Sequence, residues 1–404
     1  MSLDKKRSTF ALIALAVSAF AIGTTEFISV GLLPLIADDL HIPVTTAGLT
    51  VSLYALGATF GAPILTALTS RMPRKALLLW IMIIFIIGNS IAASAGSIGV
   101  LLTARVISAF SHGVFMSIAS TIAADLVPEN RRASAIAFMF TGLTVATVTG
   151  VPFGTFIGQQ FGWRMAFLVI VTVGIIALIA NHFLVPSDLR KGNRTTLRDQ
   201  IKLVTNGRLL LVFMITVLGY GGTFVVFTYL SLILQNITGF KEGTVAFILL
   251  LYGIAIAIGN MVGGKVSNKN PIQALFYMFI VQAVVLVILL FTAPFKMAGL
   301  LTIFLMGLLA FMNVPGLQVY VVMLAERFVP TAVDVASAIN IAAFNAGIAI
   351  GSFLGGIVTD SIGLIHTTWI GALMVLAAVI LTGWSSSLER KDQGDVETLT
   401  EQVC

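Results

Sequence analysis

Apolar residues run almost unbroken along this chain for stretches of about twenty positions, the length that crosses a ~30 Å hydrocarbon core. Polar residues gather in short clusters between the stretches. The stretches are apolar on every face instead of along one stripe, the pattern of helices surrounded by lipid. Backbone inside lipid must satisfy its own hydrogen bonds, so each stretch is read as a helix. Twelve spans are predicted, at about 10–34, 46–69, 76–95, 98–125, 133–158, 164–185, 209–234, 244–264, 272–293, 297–325, 335–359 and 367–386. The predicted class is an all-α membrane protein.

The longest internal polar stretch, Pro186–Arg208, divides the spans into two sets of six. The predicted organisation is a six-helix bundle over 1–185, a cytoplasmic linker over 186–208, a second six-helix bundle over 209–388 and a cytoplasmic tail over 389–404. Leu197, Ile201 and Val204 mark the linker as either a plain connection or a helix lying on the membrane surface. The two sets resemble each other at a nearly constant shift. Tyr54, Gly61, Arg71 and Pro73 recur 198 residues on as Tyr252, Gly259, Lys269 and Pro271. Gly150, Gly154 and Gly162 recur 201 residues on as Gly351, Gly355 and Gly363, and the tetrapeptide at 133–136 recurs at 336–339. An even number of spans per repeat gives two halves of the same orientation, related by an axis along the membrane normal and enclosing a site near the midplane.

Composition agrees with the pattern. Of 404 residues, 58% are hydrophobic and 10% charged, which excludes a soluble globular protein. Arg105 lies inside a span, and Arg164, Lys241 and Lys296 fall on one side; every other Lys and Arg falls on the side of the N-terminus. That asymmetry places both termini in the cytoplasm and the protein in the cell membrane. The net charge of +6 belongs to loops facing anionic lipid, so membrane lipid is an expected partner and nucleic acid is not. Lys5-Lys6-Arg7 precedes a retained first span instead of a cleaved leader. The one cysteine, Cys404, excludes an intrachain disulfide, and the scattered histidines predict no metal and no cofactor.

Glu26 is the residue that most demands an explanation. A carboxylate inside a span costs about 2.5–3.5 kcal/mol on insertion scales, and such groups usually serve an ion, a proton or a counter-charge. Glu26 and Arg105 are the clear intramembrane acid and base, and a rise of about 1.5 Å per residue puts them at similar depth from the same side. His112 follows Arg105 by seven residues on nearly the same helical face, with Ser108 between, and is a candidate proton relay. The second half offers neutral cavity candidates: Tyr220, Tyr229, Asn260, Asn313, Gln318, Asn340 and Asn345. Amides and phenols suit uncharged, hydroxyl-bearing or amphipathic ligands, and equally suit hydrogen bonds between helices. Gly150, Gly154 and Gly158, with Pro152 among them, and Gly347, Gly351 and Gly355 form stripes that permit close helix approach; they are expected to form the moving seam between halves, where Gly154→Leu should block exchange between open states. Gly259–Lys265 matches most of a phosphate-binding loop, but Val266 follows where Ser or Thr is needed and the stretch ends a span, so no ATP site is expected.

Gly23-Thr24-Thr25-Glu26-Phe27 with Pro34, Arg105 with Gly113, Gly150-Val151-Pro152-Phe153-Gly154 and Phe161-Gly162-Trp163-Arg164 resemble the major facilitator superfamily. Within it the chain looks most like the twelve-span drug:proton antiporters and the sugar- and arabinose-efflux-permease-like transporters. The resemblance implies two pseudo-symmetric six-helix bundles, with spans one and four lining the cavity, so that Glu26 and Arg105 share one pocket. Burial would favour the protonated acid and a nearby guanidinium the carboxylate, so Glu26 could take up a proton and release it as substrate binds; a static ion pair is the competing reading. The loop after span two, Thr66–Lys75, keeps Arg71, Arg74 and Lys75 but lacks the family's glycines and aspartate; Asp125 is the candidate partner for a cytoplasmic latch. The implied function is proton-coupled export of drugs, sugars or related metabolites by a monomer. A facilitator or symporter for a neutral metabolite, and a non-transporting sensor, remain alternatives; an intramembrane enzyme lacks a nucleophile–base or metal constellation.

Overall fold

The computed structural model describes residues 5–69, 72–128, 132–187, 197–267, 270–330 and 333–403. Among these every regular element is helical. The first half comprises α1 (Lys5–Asp39), α2 (Val44–Thr69), α3 (Arg74–Ala93), α4 (Ile98–Asp125), α5 (Arg132–Phe161) and α6 (Trp163–Leu184). A short helix, α7 (Leu197–Thr205), leads into α8 (Gly207–Phe227) and α9 (Leu230–Leu232), which continues as a π-helical turn over Ile233–Ile237. Then follow α10 (Glu242–Ser267), α11 (Pro271–Thr292), α12 (Lys296–Ala310), α13 (Val314–Phe328), α14 (Val333–Ser361) and α15 (Thr367–Val403). Twelve segments among the described residues are long and apolar enough to cross a membrane.

Two spans expected to be continuous are broken. The tenth divides into α12 and α13 at Phe311-Met312-Asn313. Pro315 at the start of α13 lacks an N–H and its ring excludes the carbonyl four residues back, so α12 cannot run on. The seventh breaks at Thr228-Tyr229 without a proline. Elsewhere the ends follow local chemistry: Asn206 caps α8 by accepting from the backbone N–H of Arg208 and Leu209. Gly162 and Gly363, equivalent in the duplicated sequence, both hold positive φ (88° and 108°) at the turns into α6 and toward α15, a conformation glycine adopts without strain.

The duplication is visible in the packing. In the first half α1 packs on α5 and α6, α2 on α4, and α3 on α6; in the second α8 packs on α14 and α15, α10 on α12 and α13, and α11 on α15. Each half has its own apolar core, one built around Leu15, Phe85 and Phe167 and the other around Phe224, Phe279 and Tyr320. The halves meet where α2 lies on α14 and α5 on α10. The segment expected as a possible surface helix is α7, but the side chain it buries is Leu203, in the second core, while Ile201 and Val204 stay exposed. The face that carries the N-terminus is called the basic side below, and the opposite face the far side.

Candidate functional site

Three helices of the first half deliver one buried charge cluster. Arg105 on α4 is 1% exposed, His112 on the same helix 4%, and Glu26 on α1 9%. Arg105 spends its guanidinium on main chain: Nη1 donates to the Thr25 carbonyl (2.7 Å), Nη2 to the Glu26 carbonyl (3.3 Å) and Nε to the Thr50 carbonyl on α2 (3.0 Å). Arg105 and Glu26 therefore meet through the Glu26 carbonyl, and not as the carboxylate–guanidinium pair of the competing static reading. Among the described residues the group facing the Glu26 carboxylate within ion-pair range is His112, whose Nδ1 lies 3.9 Å from Glu26 Oε2. Ser108 is not part of the set; its hydroxyl donates back to the Ala104 carbonyl, and it faces Gly88 on α3.

Sequence reasoning valued Tyr54 only as a marker of the repeat. On α2 it is fully buried, its ring 4.1 Å under the Arg105 guanidinium and its hydroxyl 3.3 Å from His112 Nδ1. Nothing in the sequence near Tyr54 announces this, because its partners come from α4.

The second half contributes an aromatic wall. Tyr220 on α8 packs its ring against Phe224, Phe311 and Phe344 at centroid distances of 5.0, 5.3 and 4.9 Å. Phe311, at the break of the tenth span, also meets Phe27 of α1 at 6.1 Å, edge to face, so the wall joins the residue next to Glu26. Among the described residues of this half, three amides keep an oxygen without a hydrogen-bond partner: Asn260, Asn313 and Asn345. Asn313, fully buried at the helix break, donates through Nδ2 to Gln282 Oε1 (3.1 Å), leaving Oδ1 free. Such buried unpaired acceptors are rare and call for a ligand or water.

Three of the predicted cavity residues have structural employment instead. Thr216 donates to Asn340 Oδ1 (2.8 Å), Asn340 Nδ2 to Gln318 Oε1 (2.6 Å), and Gln318 Nε2 to Ser337 Oγ (2.7 Å). Every amide group of Asn340 is thus used in tying α8, α13 and α14 together. Asn340→Ala should strand two buried partners and cost about 1–3 kcal/mol, read as a lower thermal midpoint, with no change in apparent substrate affinity. Tyr229 is the third; it stands at the break of the seventh span and donates from its hydroxyl to the Ser352 carbonyl (3.2 Å).

The glycine stripes are also reassigned. Gly150, Gly154 and Gly158 on α5 face Thr24, Ile28 and Leu32 on α1, residue for residue at the same four-residue step. Gly347, Gly351 and Gly355 on α14 face main chain of α8 at Val217, Gly221 and Val225. Both stripes lie inside a half, not between halves, because a stripe of small residues specifies close approach without specifying the partner helix. Gly154→Leu should therefore overpack α1 against α5 at Ile28, destabilising the first half by about 1–3 kcal/mol in thermal unfolding.

The seam between halves uses other residues. Pro34 has no N–H to offer the Val30 carbonyl; that oxygen accepts instead from Ser231 Oγ of the second half (3.1 Å). Pro152 likewise leaves the Val148 carbonyl unclaimed, and Gly253 of α10 packs so closely on it that an added Cβ would stand 2.5 Å away. The Tyr229 hydroxyl seats against Gly48 of α2 and Gly356 of α14. Gln159 Nε2 adds a bond to the Glu242 carbonyl (2.8 Å). The prolines were the signal that could have found this seam, since each frees the carbonyl four residues before it. The Val148–Gly253 contact and a bond from Thr59 Oγ1 of α2 to the Ala342 carbonyl of α14 (3.4 Å) lie deeper; the others lie toward the far side, where the halves meet most closely. Beyond it a recess of about 450 Å³ opens between Pro34, Asp38, His41, Gln235 and Asn236.

On the basic side Arg74 and Asp125 form an ion pair that ties α3 to α4. Lys75 lies half-buried beside Arg74, and Arg71 lies outside the described residues. The nucleotide-loop decoy is explained as helix contact: Gly259 and Gly263 face the Leu308 and Met312 carbonyls at the broken span.

Comparison with known proteins places this geometry. Residues 15–327 match the family model described as Major Facilitator Superfamily. The chain is 79% identical over 393 residues to the uncharacterized MFS-type transporter YtbD of Bacillus subtilis (strain 168), covering 97% of this chain and 99% of that protein. It is 29% identical over 394 residues to AraJ of Escherichia coli (strain K12), covering 97% and 99%. In fold it is similar to the crystal structure of a bacterial homologue of the human lysosomal transporter Spinster in an inward-facing, occupied conformation, with TM-score 0.74, 17% identity, and 95% and 98% of the two chains covered.

Proposed function

Because the chain belongs to the Major Facilitator Superfamily, and is a multi-pass membrane transporter of that family, we propose that it is a proton-coupled exporter of small organic molecules, working by alternating access between its two halves. It sits in the cell membrane as a monomer with both termini and the basic loops in the cytoplasm, so that the far side is the outside. A proton entering from outside neutralises Glu26, and its release to the cytoplasm drives substrate the other way.

One observation carries the coupling. The Glu26 carboxyl is buried, and Arg105 does not bind it directly, because its guanidinium donates to three main-chain carbonyls instead. A carboxyl inside a span that no guanidinium or ammonium binds directly is a candidate proton site. Arg105 supplies positive potential at close range, so the balance between the two forms stays within reach of a bound substrate. The substrate class that suits the second half is neutral or amphipathic: an aromatic wall of Phe27, Tyr220, Phe311 and Phe344, with the amide oxygens of Asn313 and Asn345 as polar anchors. Drugs, sugars and related metabolites fall in that class. Export, as opposed to uptake, is supported by Gly150-Val151-Pro152-Phe153-Gly154 in α5, which resembles the element associated with exporters in this superfamily.

The test is transport in proteoliposomes under an imposed pH gradient, screened with a drug, a sugar and a nucleoside. Substrate should move from the cytoplasmic face outward only when the outside is the more acidic, and proton uptake should rise with substrate. Movement indifferent to the pH gradient would leave a facilitator.

A further inference from the structure

We propose that Tyr54 is a positioning residue for the Glu26 carboxyl: its ring seats the Arg105 guanidinium, and its hydroxyl holds the His112 imidazole off the carboxylate. The functional consequence rests on the proton-coupling reading above; the geometry does not. Two groups reach for one nitrogen. His112 Nδ1 is 3.3 Å from the Tyr54 hydroxyl and 3.9 Å from Glu26 Oε2. The contact is compatible with either direction; in the arrangement proposed the phenol donates, so Nδ1 is bare and the neutral ring carries its proton on Nε2. An imidazole in that tautomer has no proton to give Glu26. Tyr54 thereby keeps the carboxylate without a local donor and open to a proton from the chamber.

The ring does the second task. A guanidinium over a tyrosine face is held by cation–π attraction. Held there, Arg105 reaches the Thr25 and Glu26 carbonyls on α1 and the Thr50 carbonyl one turn before Tyr54 on α2. One residue thus fixes the two basic neighbours of the acid; Tyr220 of α8 is a further titratable group near it. The charged and titratable groups around Tyr54 are Glu26 from α1 and Arg105 and His112 from α4. Helix α14, packed on α2 across the seam, carries its charges only near its ends, at Asp334 and Asp360.

The duplicated position shows that the fold alone does not demand this wiring. Tyr252, 198 residues on, is equally buried, but it stacks on Phe227 (5.1 Å, 20° between planes) and its hydroxyl has no hydrogen-bond partner. A tyrosine is kept in both halves, and only the first is joined to ionisable groups.

The experiment is NMR of the full chain in lipid nanodiscs, with ¹⁵N-histidine and ¹³C-glutamate labels. His112 is assigned by the signal lost in His112→Gln, and Glu26 by the signal lost in Glu26→Gln. In the unmodified protein the neutral His112 ring should show the Nε2–H pattern. In Tyr54→Phe, which keeps the ring, it should switch to Nδ1–H, donating to Glu26, and the Glu26 midpoint should fall to lower pH by about one unit. Tyr54→Phe in the His112→Gln background should leave the Glu26 midpoint where His112→Gln alone puts it. An unchanged tautomer together with an unchanged midpoint in Tyr54→Phe overturns the proposal. Should Tyr54→Phe not fold, fluorotyrosine incorporation carries the test, since a more acidic phenol should strengthen the bond to Nδ1 and shift its ¹⁵N signal; no shift overturns the proposal. Neither readout needs a substrate, so the inference can fail while proton coupling stands, and loss of coupling in vesicles leaves the NMR result intact.

Discussion

Glu26→Gln should reduce proton-driven transport at least about tenfold, equivalent to about 1.4 kcal/mol, and flatten its pH dependence, with almost no effect on folding. The asymmetry follows from where the bonds go. Arg105 binds the carbonyl of residue 26 and not its carboxylate, so the substitution leaves all three guanidinium bonds in place. Glutamine matches glutamate in size and cannot take up or release a proton. A static ion pair makes the opposite forecast: breaking a buried pair strands a charge and costs about 3–5 kcal/mol. Thermal unfolding and gradient-driven efflux measured on one preparation separate the two. A large fall in midpoint with transport retained and still pH-dependent would reverse the assignment of Glu26.

The second large effect is expected at Gly48. The Tyr229 hydroxyl occupies the space that a side chain at Gly48 would need, and Gly356 closes on it from α14. Gly48→Leu should push Tyr229 out of this slot and hold the outer seam apart. Most of each apolar core lies within one half, and of the buried residues described in the first-half core only Tyr229 and Leu232 come from across the seam, so the chain should still fold. Transport should fall to background, because a carrier that cannot close on one side cannot complete its cycle. The conformation can be read directly once Cys404, the single cysteine, is replaced by serine. Val30 is fully buried at the seam beside Ser231. A cysteine placed there should react with an impermeant maleimide added outside about tenfold faster in Gly48→Leu, corresponding to about 1.4 kcal/mol in the opening equilibrium. Ser231→Ala, which removes the bond to the Val30 carbonyl, should move the rate the same way by less. Equal labelling with and without Gly48→Leu would show that Tyr229 does not close the outer side.

Legibility differed by the range of the interaction. The twelve spans and the two-fold repeat were readable because lipid imposes one rule on every residue of a span. Glu26, Arg105 and His112 were readable as a set because a charge inside a span is an anomaly visible without coordinates, and helical rise alone gives its depth. Tyr54 was not, since a tyrosine within a span is ordinary until Arg105 and His112 are known to face it. Gln318 and Asn340 looked like ligand-binding groups for the same reason: a polar residue in a span has a partner, but the sequence does not say whether that partner is a substrate or the next helix. Asn313 was read as a cavity candidate in a continuous span, and the structure places it at a true helix break set by Pro315. The break at Thr228-Tyr229 carries no proline and gave no sign.

The sequence by itself determined the solvent, the number of spans and the duplication, because hydropathy acts locally and is summed along the chain. It also determined that one acid had to be explained. Only the tertiary structure decided which helix each glycine stripe meets, that Pro34 and Pro152 free carbonyls for the opposite half, and that Arg105 spends its hydrogen bonds on main chain and not on the Glu26 carboxylate. Those outcomes depend on which faces of helices far apart in sequence are brought together, and a helix face has no address until its neighbour is in place.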